Sequence, residues 1–440
     1  MQQILVKRGL DIPMEGKAEK SLGSVRRPEV FKVVPDQFAG VTPKLDVKVG
    51  DKVKAGSPLF HNKAFEAMLF TSPVSGVVKE IVRGEKRHIL SIDIAADAVI
   101  EYEHIDVKGN VRDVLLRSGL WALIKQRPYD CIALPNKEPK AIFISTFDSA
   151  PLAPDYEYVL AGQDAVLQSG IDALAQVAPV YVGIRPGSPY QHLKNCNLYE
   201  VVGPHPAGNV GVQINHIAPI AKGQTVWTVN FHDLLLIGKL FSKGIVDYQK
   251  KVALTGPLAY GKQYYNVLMG MPVSAVLGQN VHDELPCRYI AGNALSGHQV
   301  SLDDIISVYD NQFTVIDEGT ENHEFMGWLL PRFDAFHFGN TDPAKFMQCL
   351  KKHFSFDARL KGGRRAIIVS GEYDKVFPMD IYPEYLIKAM IAKNIDKMEQ
   401  LGAYEVAPED FALCEYVCTS KLPLQAIVSE ALDYMRKEIE

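Results

Sequence analysis

The chain has 440 residues, too many for one ordinary domain and enough for two to four. Hydrophobic residues make up 47%, which supplies several cores, and the net charge is −5 with no long basic run, which argues against nucleic acid as a partner. No stretch approaches the roughly 20 apolar residues that span a bilayer. The most apolar segment, FHDLLLIGKLF (231–241), is too short and carries His, Asp and Lys.

The opening MQQILVKRGLDIPMEG lacks the apolar core of a signal peptide, because Lys7, Arg8 and Asp11 interrupt it. Residues 45–94 read as short strands between close turns at Gly50, Gly56, Gly76 and Gly84. LDVKV alternates, VVKEIV follows the Pro73–Gly76 turn, and in ILSIDI the residues Leu90, Ile92 and Ile94 alternate with polar ones. Such density predicts a small β-barrel or sandwich. VGDKVKAG and SPVSGVVKEI resemble biotinyl/lipoyl barrel-sandwich domains. Glu66-Ala67-Met68 resembles their attachment segment, but Leu69 stands where the modified lysine would be, and Lys63 lacks the Ala-Met context. Arg83-Gly84-Glu85-Lys86-Arg87 reads as a solvated hairpin tip, with a docking surface as the alternative.

The middle changes period. VRDVLLRSGLWALIK (111–125) predicts a helix, AIFIST (141–146) a buried strand, QDAVLQSGIDALAQVA a helix, PVYVGI a strand, QTVWTVN a strand and HDLLLIGKLFSKG a helix. That alternation predicts a Rossmann-like α/β layer with a parallel sheet. From 251 to 319 strand patterning returns with Gly and Pro turns, as in a small β-grasp domain. YPEYLIKAMIAKNIDKMEQLG and PLQAIVSEALDYMRKEIE predict a helical end. The expected divisions are 1–100 (barrel-sandwich), 101–250 (Rossmann-like), 251–330 (β-grasp, SLBB-like) and 331–440 (C-terminal α/β to helical region).

Cofactor signatures are few. There is no G-x-G-x-x-G and no Walker sequence; PHPAGNVG (204–211) is the nearest Gly-rich turn. Cys414 and Cys418 are spaced i, i+4, wrong for an iron–sulfur run, and two thiols packed on one helix face explain them. The other cysteines, Cys131, Cys196, Cys287 and Cys349, are scattered, as expected of reduced thiols in a cytoplasmic protein. NHEFMGW (322–328) starts like a zincin helix, but Gly327 replaces the second His. His205, His216, His232, His298 and His337 show no ligand spacing.

Ten segments in order resemble one family: KRGLDIPMEG, VKVGDKVKAG, FTSPVSG, RGEKR, SGLWALIKQRP, DSAPLAPD, GPHPAGNVG, IGKLF, IAGNALSGH and LCEYVC. The family is the A subunit of the Na+-translocating NADH:quinone oxidoreductase (Na+-NQR), related to the C subunit of the Rnf complex and the flavoprotein subunit of complex I. The resemblance implies a peripheral subunit on the cytoplasmic face of the bacterial inner membrane, docked on integral membrane subunits. NADH, FAD, FMN, riboflavin and the 2Fe-2S centre would then belong to partner subunits, with no cofactor in this chain. It implies an architectural role with quinone contact. The relatives' glycines give way here to Leu120, Trp121, Ala122 and Leu123, which crowd a phosphate. Segments 118–128 and 204–211 correspond to segments near the relatives' flavin, which makes Trp121, Pro204, His205, Gly208 and Gly211 the expected quinone-contact residues. The alternatives are an Rnf-type electron carrier with its own FMN and a biotinyl/lipoyl carrier-like protein.

Overall fold

The computed structural model describes residues 2–282, 285–320, 336, 338 and 353–439. The zincin-like segment 322–328, His337 and Cys349 lie outside them.

Short strands between 30 and 96 build two small sheets. One is ordered Val30–Val33, Ile89–Ala96, Gly76–Arg83, Lys52–Val53; the other is Pro43–Leu45, Pro58–Asn62, Phe65–Thr71. Phe60 and Phe70 stack at 4.6 Å between centroids, and Phe38 tilts onto Phe70 at 4.6 Å. This aromatic cluster fills the space that the alternating strands enclose. Gly76 is required by close approach: a Cβ there would sit 2.0 Å from the Ala95 carbonyl oxygen. The Leu90 expectation fails, since its side chain is exposed while Ile92 and Ile94 are fully buried. A register irregularity between Val82 and Arg83 accounts for it, because a one-residue slip turns side chains to the other face. Met68 lies in the core and Leu69 pairs with His61 within the Phe65–Thr71 strand. The hairpin turns at 63–64, so Leu69 is not at its tip.

The central layer is a seven-stranded sheet in the order Gln2–Leu5, Asn197–Val202, Val180–Ile184, Ile142–Ser145, Val226–Val229, Ile124–Arg127, Cys131–Ile132. The first five strands are mutually parallel, and the last two are added through antiparallel pairings. Its inner strands Ile142–Ser145, Val180–Ile184 and Val226–Val229 are mostly apolar because both faces are covered. Ile142, Ile144, Val180 and Val182 face the helices Asp164–Leu174 and Phe231–Lys243. Phe143, Val201 and Val226 face the helices Val210–Ile217, Pro383–Ile391, Ala412–Val417 and Leu424–Ile439. Gly238 lets the first helix pair meet, since a Cβ there would lie 2.0 Å from the Val166 carbonyl oxygen.

The single helix expected over 111–125 is shorter. The α-helix is Val111–Ser118, capped by the Asn110 side chain and ended by Gly119 at φ 81°. A 3-10 turn (Leu120–Leu123) and the strand Ile124–Arg127 follow. Periodicity alone did not register the αL glycine that stops the helix. The expected helical stretch after Tyr382 likewise splits into Pro383–Ile391 and Ile395–Gln400, with Lys393 at φ 50° between them.

The third unit is a six-stranded sheet ordered His298–Val300, Cys287–Ala291, Gln312–Asp317, Gln249–Thr255, Tyr264–Leu268, Leu22–Gly23. The first 23 residues therefore supply edge strands to two sheets outside the barrel. No helix among the described residues is long and apolar enough to cross a membrane.

Candidate functional site

Chain order sets the location. After Ile142–Ser145, the next two strands of the parallel set, Val180–Ile184 and Asn197–Val202, are laid down to one side. The chain then returns to place Val226–Val229 on the other side. The loops leaving the two central strands diverge, which opens a crevice at their carboxyl ends. A cleft of about 250 Å³ lies there. It is lined by Ser145 and Asp148, at and after the end of one strand, and by Thr228 and Asn230, near and after the end of the other.

The two segments singled out in the sequence form parts of the wall. From 118–128 come Leu123, Lys125 and Arg127; from 204–211 come His205, Gly208, Asn209 and Val210. Of the individual residues, His205 and Gly208 line the cleft, whereas Trp121, Pro204 and Gly211 do not. Trp121 is fully buried, donates its indole N–H to the Ala133 carbonyl at 2.7 Å and packs edge-on against Trp227 at 5.2 Å. The two glycines admit neighbours. A Cβ on Gly208 would lie 2.6 Å from the Ser149 backbone nitrogen, and one on Gly211 2.3 Å from the Arg127 guanidinium. The N-terminal KRGLD segment holds the same turn: Asp11 accepts the His205 backbone N–H at 2.8 Å, and Leu10 N–H donates to the His205 carbonyl at 2.8 Å.

The electrostatics are dominated by acids. Arg127 is buried and spent on protein groups, donating to Asp410 at 2.6 Å, Glu409 at 2.9 Å and the Glu405 carbonyl at 2.8 Å. Burial penalises its charge, but Asp410 and Glu409 outweigh that and hold it above its ordinary value. The Lys125 ammonium is 4.0 Å from Asp130 and 5.8 Å from the centre of the Tyr309 ring. Desolvation raises Asp148, whose Oδ1 accepts the Ala150 N–H at 2.8 Å. His205 is held down at about 4 by burial, and its Nδ1 lies 3.0 Å from Ser149 Oγ. Ser149 Oγ accepts the Gly208 N–H at 2.8 Å, which leaves its own proton for Nδ1 of a neutral imidazole.

Asp233, Asn230, Tyr309 and Glu409 also line the cleft, and sequence reasoning missed them. Asn230 caps the Phe231–Lys243 helix, its Oδ1 accepting the His232 N–H at 2.9 Å, and Asp233 sits in that helix's first turn. The signal was present as N-F-H-D at a helix start. Asp233 is 4% exposed, and its Oδ1 is buried with no hydrogen-bond partner among the described residues. Desolvation pushes it up to about 6 against the opposing pull of Lys250 and Lys125. Among the described residues no group of three or more His, Cys, Asp or Glu is arranged to hold a metal. Cys414 and Cys418 are buried, with Cys418 Sγ 3.0 Å from the Tyr373 hydroxyl.

Three family models match in succession: an NqrA N-terminal barrel-sandwich hybrid domain over 4–97, an NqrA second alpha/beta domain over 107–246 and an NQRA C-terminal domain over 251–301. The A subunit of the Na(+)-translocating NADH-quinone reductase of Neisseria meningitidis serogroup B is 32% identical, covering 99% of this chain and 100% of that protein. The proteins of the same description from Tolumonas auensis and Haemophilus influenzae are also 32% identical, over 99% of this chain and 100% of theirs. An NAD+-reducing [NiFe]-hydrogenase structure aligns over 41% of each chain at 14% identity with a TM-score of 0.30, too low to carry an argument. End-to-end similarity at this level, with the barrel and α/β layer matched in order, shows that the chain belongs to the family of A subunits of the Na+-translocating NADH-quinone reductases.

Proposed function

We propose that the chain is the peripheral subunit of a Na+-translocating NADH-quinone reductase, placed on the cytoplasmic membrane face against integral subunits. Its part is architectural, with a quinone head group held in the switch-point cleft. The seven-stranded layer is read as Rossmann-like and the six-stranded unit as β-grasp. The flavins and the 2Fe-2S centre are assigned to partner subunits, and the isolated chain is expected to be inactive toward NADH.

One observation carries the reading. The cleft occupies the position where doubly wound sheets take their ligands, yet its charge is wrong for a phosphate. Arg127 is already bound by two carboxylates, and Asp130, Asp148, Asp233 and Glu409 face the same space. An FMN or NAD phosphate would meet four acids against the single Lys125 ammonium, with Arg127 already paired. A neutral ring with polar oxygens meets no such penalty.

The purified full chain should be colourless, with no flavin in an acid extract. A short-chain benzoquinone should raise its melting temperature by linkage. His205→Ala should reduce that shift, because His205 is in the wall. A yellow protein with stoichiometric FMN would replace this reading with an Rnf-type electron carrier. Absence of any shift at saturating quinone would leave architecture alone.

A further inference from the structure

The charged groups around the cleft differ in how far they are committed. Glu409 is engaged by Arg127, Asp148 by a backbone N–H, and Asp130 is the near neighbour of Lys125. Among the cleft acids, Asp233 is the one with a fully buried oxygen lacking a partner among the described residues. It projects from the first turn of a 13-residue helix. A buried acceptor without a partner calls for a donor, and a ligand hydroxyl can supply one.

A carboxylate discriminates between two forms of one ring. An oxidised quinone carries only acceptor oxygens, so a carbonyl placed against Asp233 sets acceptor against acceptor. A hydroquinone carries O–H donors, and one of them satisfies the carboxylate with a charge-assisted bond. The Lys125 ammonium, also in the wall, donates equally well to an oxygen of either form. We propose that Asp233 makes this cleft selective for the reduced, hydroquinone form of its ligand over the oxidised quinone. The inference rests on the quinone reading above and adds a redox preference to it. A site with that preference retains product quinol, or senses how reduced the quinone pool is.

The test is anaerobic calorimetry on the full-length chain, titrated with one short-chain benzoquinone and separately with its quinol. Wild type should bind the quinol about tenfold more tightly, the low end of what a hydrogen bond to a charged group supplies. Asp233→Asn presents an amide that donates as well as accepts, so the preference should collapse to about onefold. Equal binding of the two forms by wild type, or an unchanged preference in Asp233→Asn, would overturn the role of Asp233 and leave the quinone reading standing. Binding of neither form would remove the quinone reading and this inference with it. Should Asp233→Asn fail to fold, Asp233→Ser serves in its place, since it too removes the carboxylate, and equal binding of the two forms by wild type still overturns the inference.

Discussion

Arg127 and Asp410 lie 283 positions apart in sequence and meet at 2.6 Å, with side chains only 2% and 0% exposed. The pair joins the antiparallel edge of the central sheet to the C-terminal helices, and it fits only because Gly211 leaves room for it. A buried pair costs most when one partner is removed, since the other is left charged and dry.

Arg127→Met should therefore destabilise the chain by about 3–5 kcal/mol in denaturant unfolding. Asp410→Asn should cost less, because Glu409 and the Glu405 carbonyl still hold the guanidinium. If Asp410→Asn proves the more damaging of the two, the ion pair is not what joins these elements.

Two barrel glycines should respond differently. At Gly76 any Cβ meets the Ala95 carbonyl at 2.0 Å, so Gly76→Val should cost about 1–3 kcal/mol or more. Gly50 has φ 94° and nothing within 4 Å of the added atom, so Gly50→Ala should cost only the backbone strain, about 1 kcal/mol. Thermal midpoints of the two variants check the order.

Two cleft residues pull acid stability in opposite directions. His205 titrates at about 4 when folded against 6.5 ordinarily, so its contribution is full above 6.5 and is lost as pH falls toward 4. Asp233 titrates at about 6 when folded against 3.8 ordinarily, so folding gains as pH falls from 6 toward 3.8. Each effect is on the order of 3 kcal/mol and they offset over much of that range. His232, also held well below its ordinary value by burial, adds to the His205 side. Unfolding curves from pH 7 to 4 should fall more steeply for Asp233→Asn than for wild type and less steeply for His205→Gln. Parallel curves for all three would show that neither group is desolvated.

How much of this was legible in the sequence follows from the range of each interaction. Ile142–Ser145, Val180–Ile184, Asp164–Leu174 and Phe231–Lys243 were readable because two covered sheet faces and amphipathic helices leave local patterns. The cleft was readable only in part. Segments 118–128 and 204–211 came from family resemblance, while Tyr309 and Glu409 reach the same space from distant parts of the chain and carry no local signal. Trp121 was singled out because it stood where a flavin's glycines would be, yet its indole is spent on Ala133 and Trp227. Asp233 looked like ordinary helix-start chemistry, since burial without a partner cannot be seen in one dimension.

Trp121→Phe should separate packing from ligand contact. It strands the Ala133 carbonyl and removes ring volume from the core, which should cost about 2–4 kcal/mol. Quinone affinity measured well below the melting temperature should be unchanged, since Trp121 does not line the cleft. A selective loss of affinity with normal stability would return Trp121 to the binding wall.

The Gln2–Leu5 strand pairs in parallel with Asn197–Val202, and Leu22–Gly23 pairs with Tyr264–Leu268. During vectorial synthesis these two strands are made roughly two hundred residues before their partners. The barrel strands at 30–96 have all their neighbours close by and can close in the meantime. A segment made before the barrel is thus seated after it. Because Asp11 and Leu10 clasp the His205 turn, the cleft wall is completed only when that late seam closes.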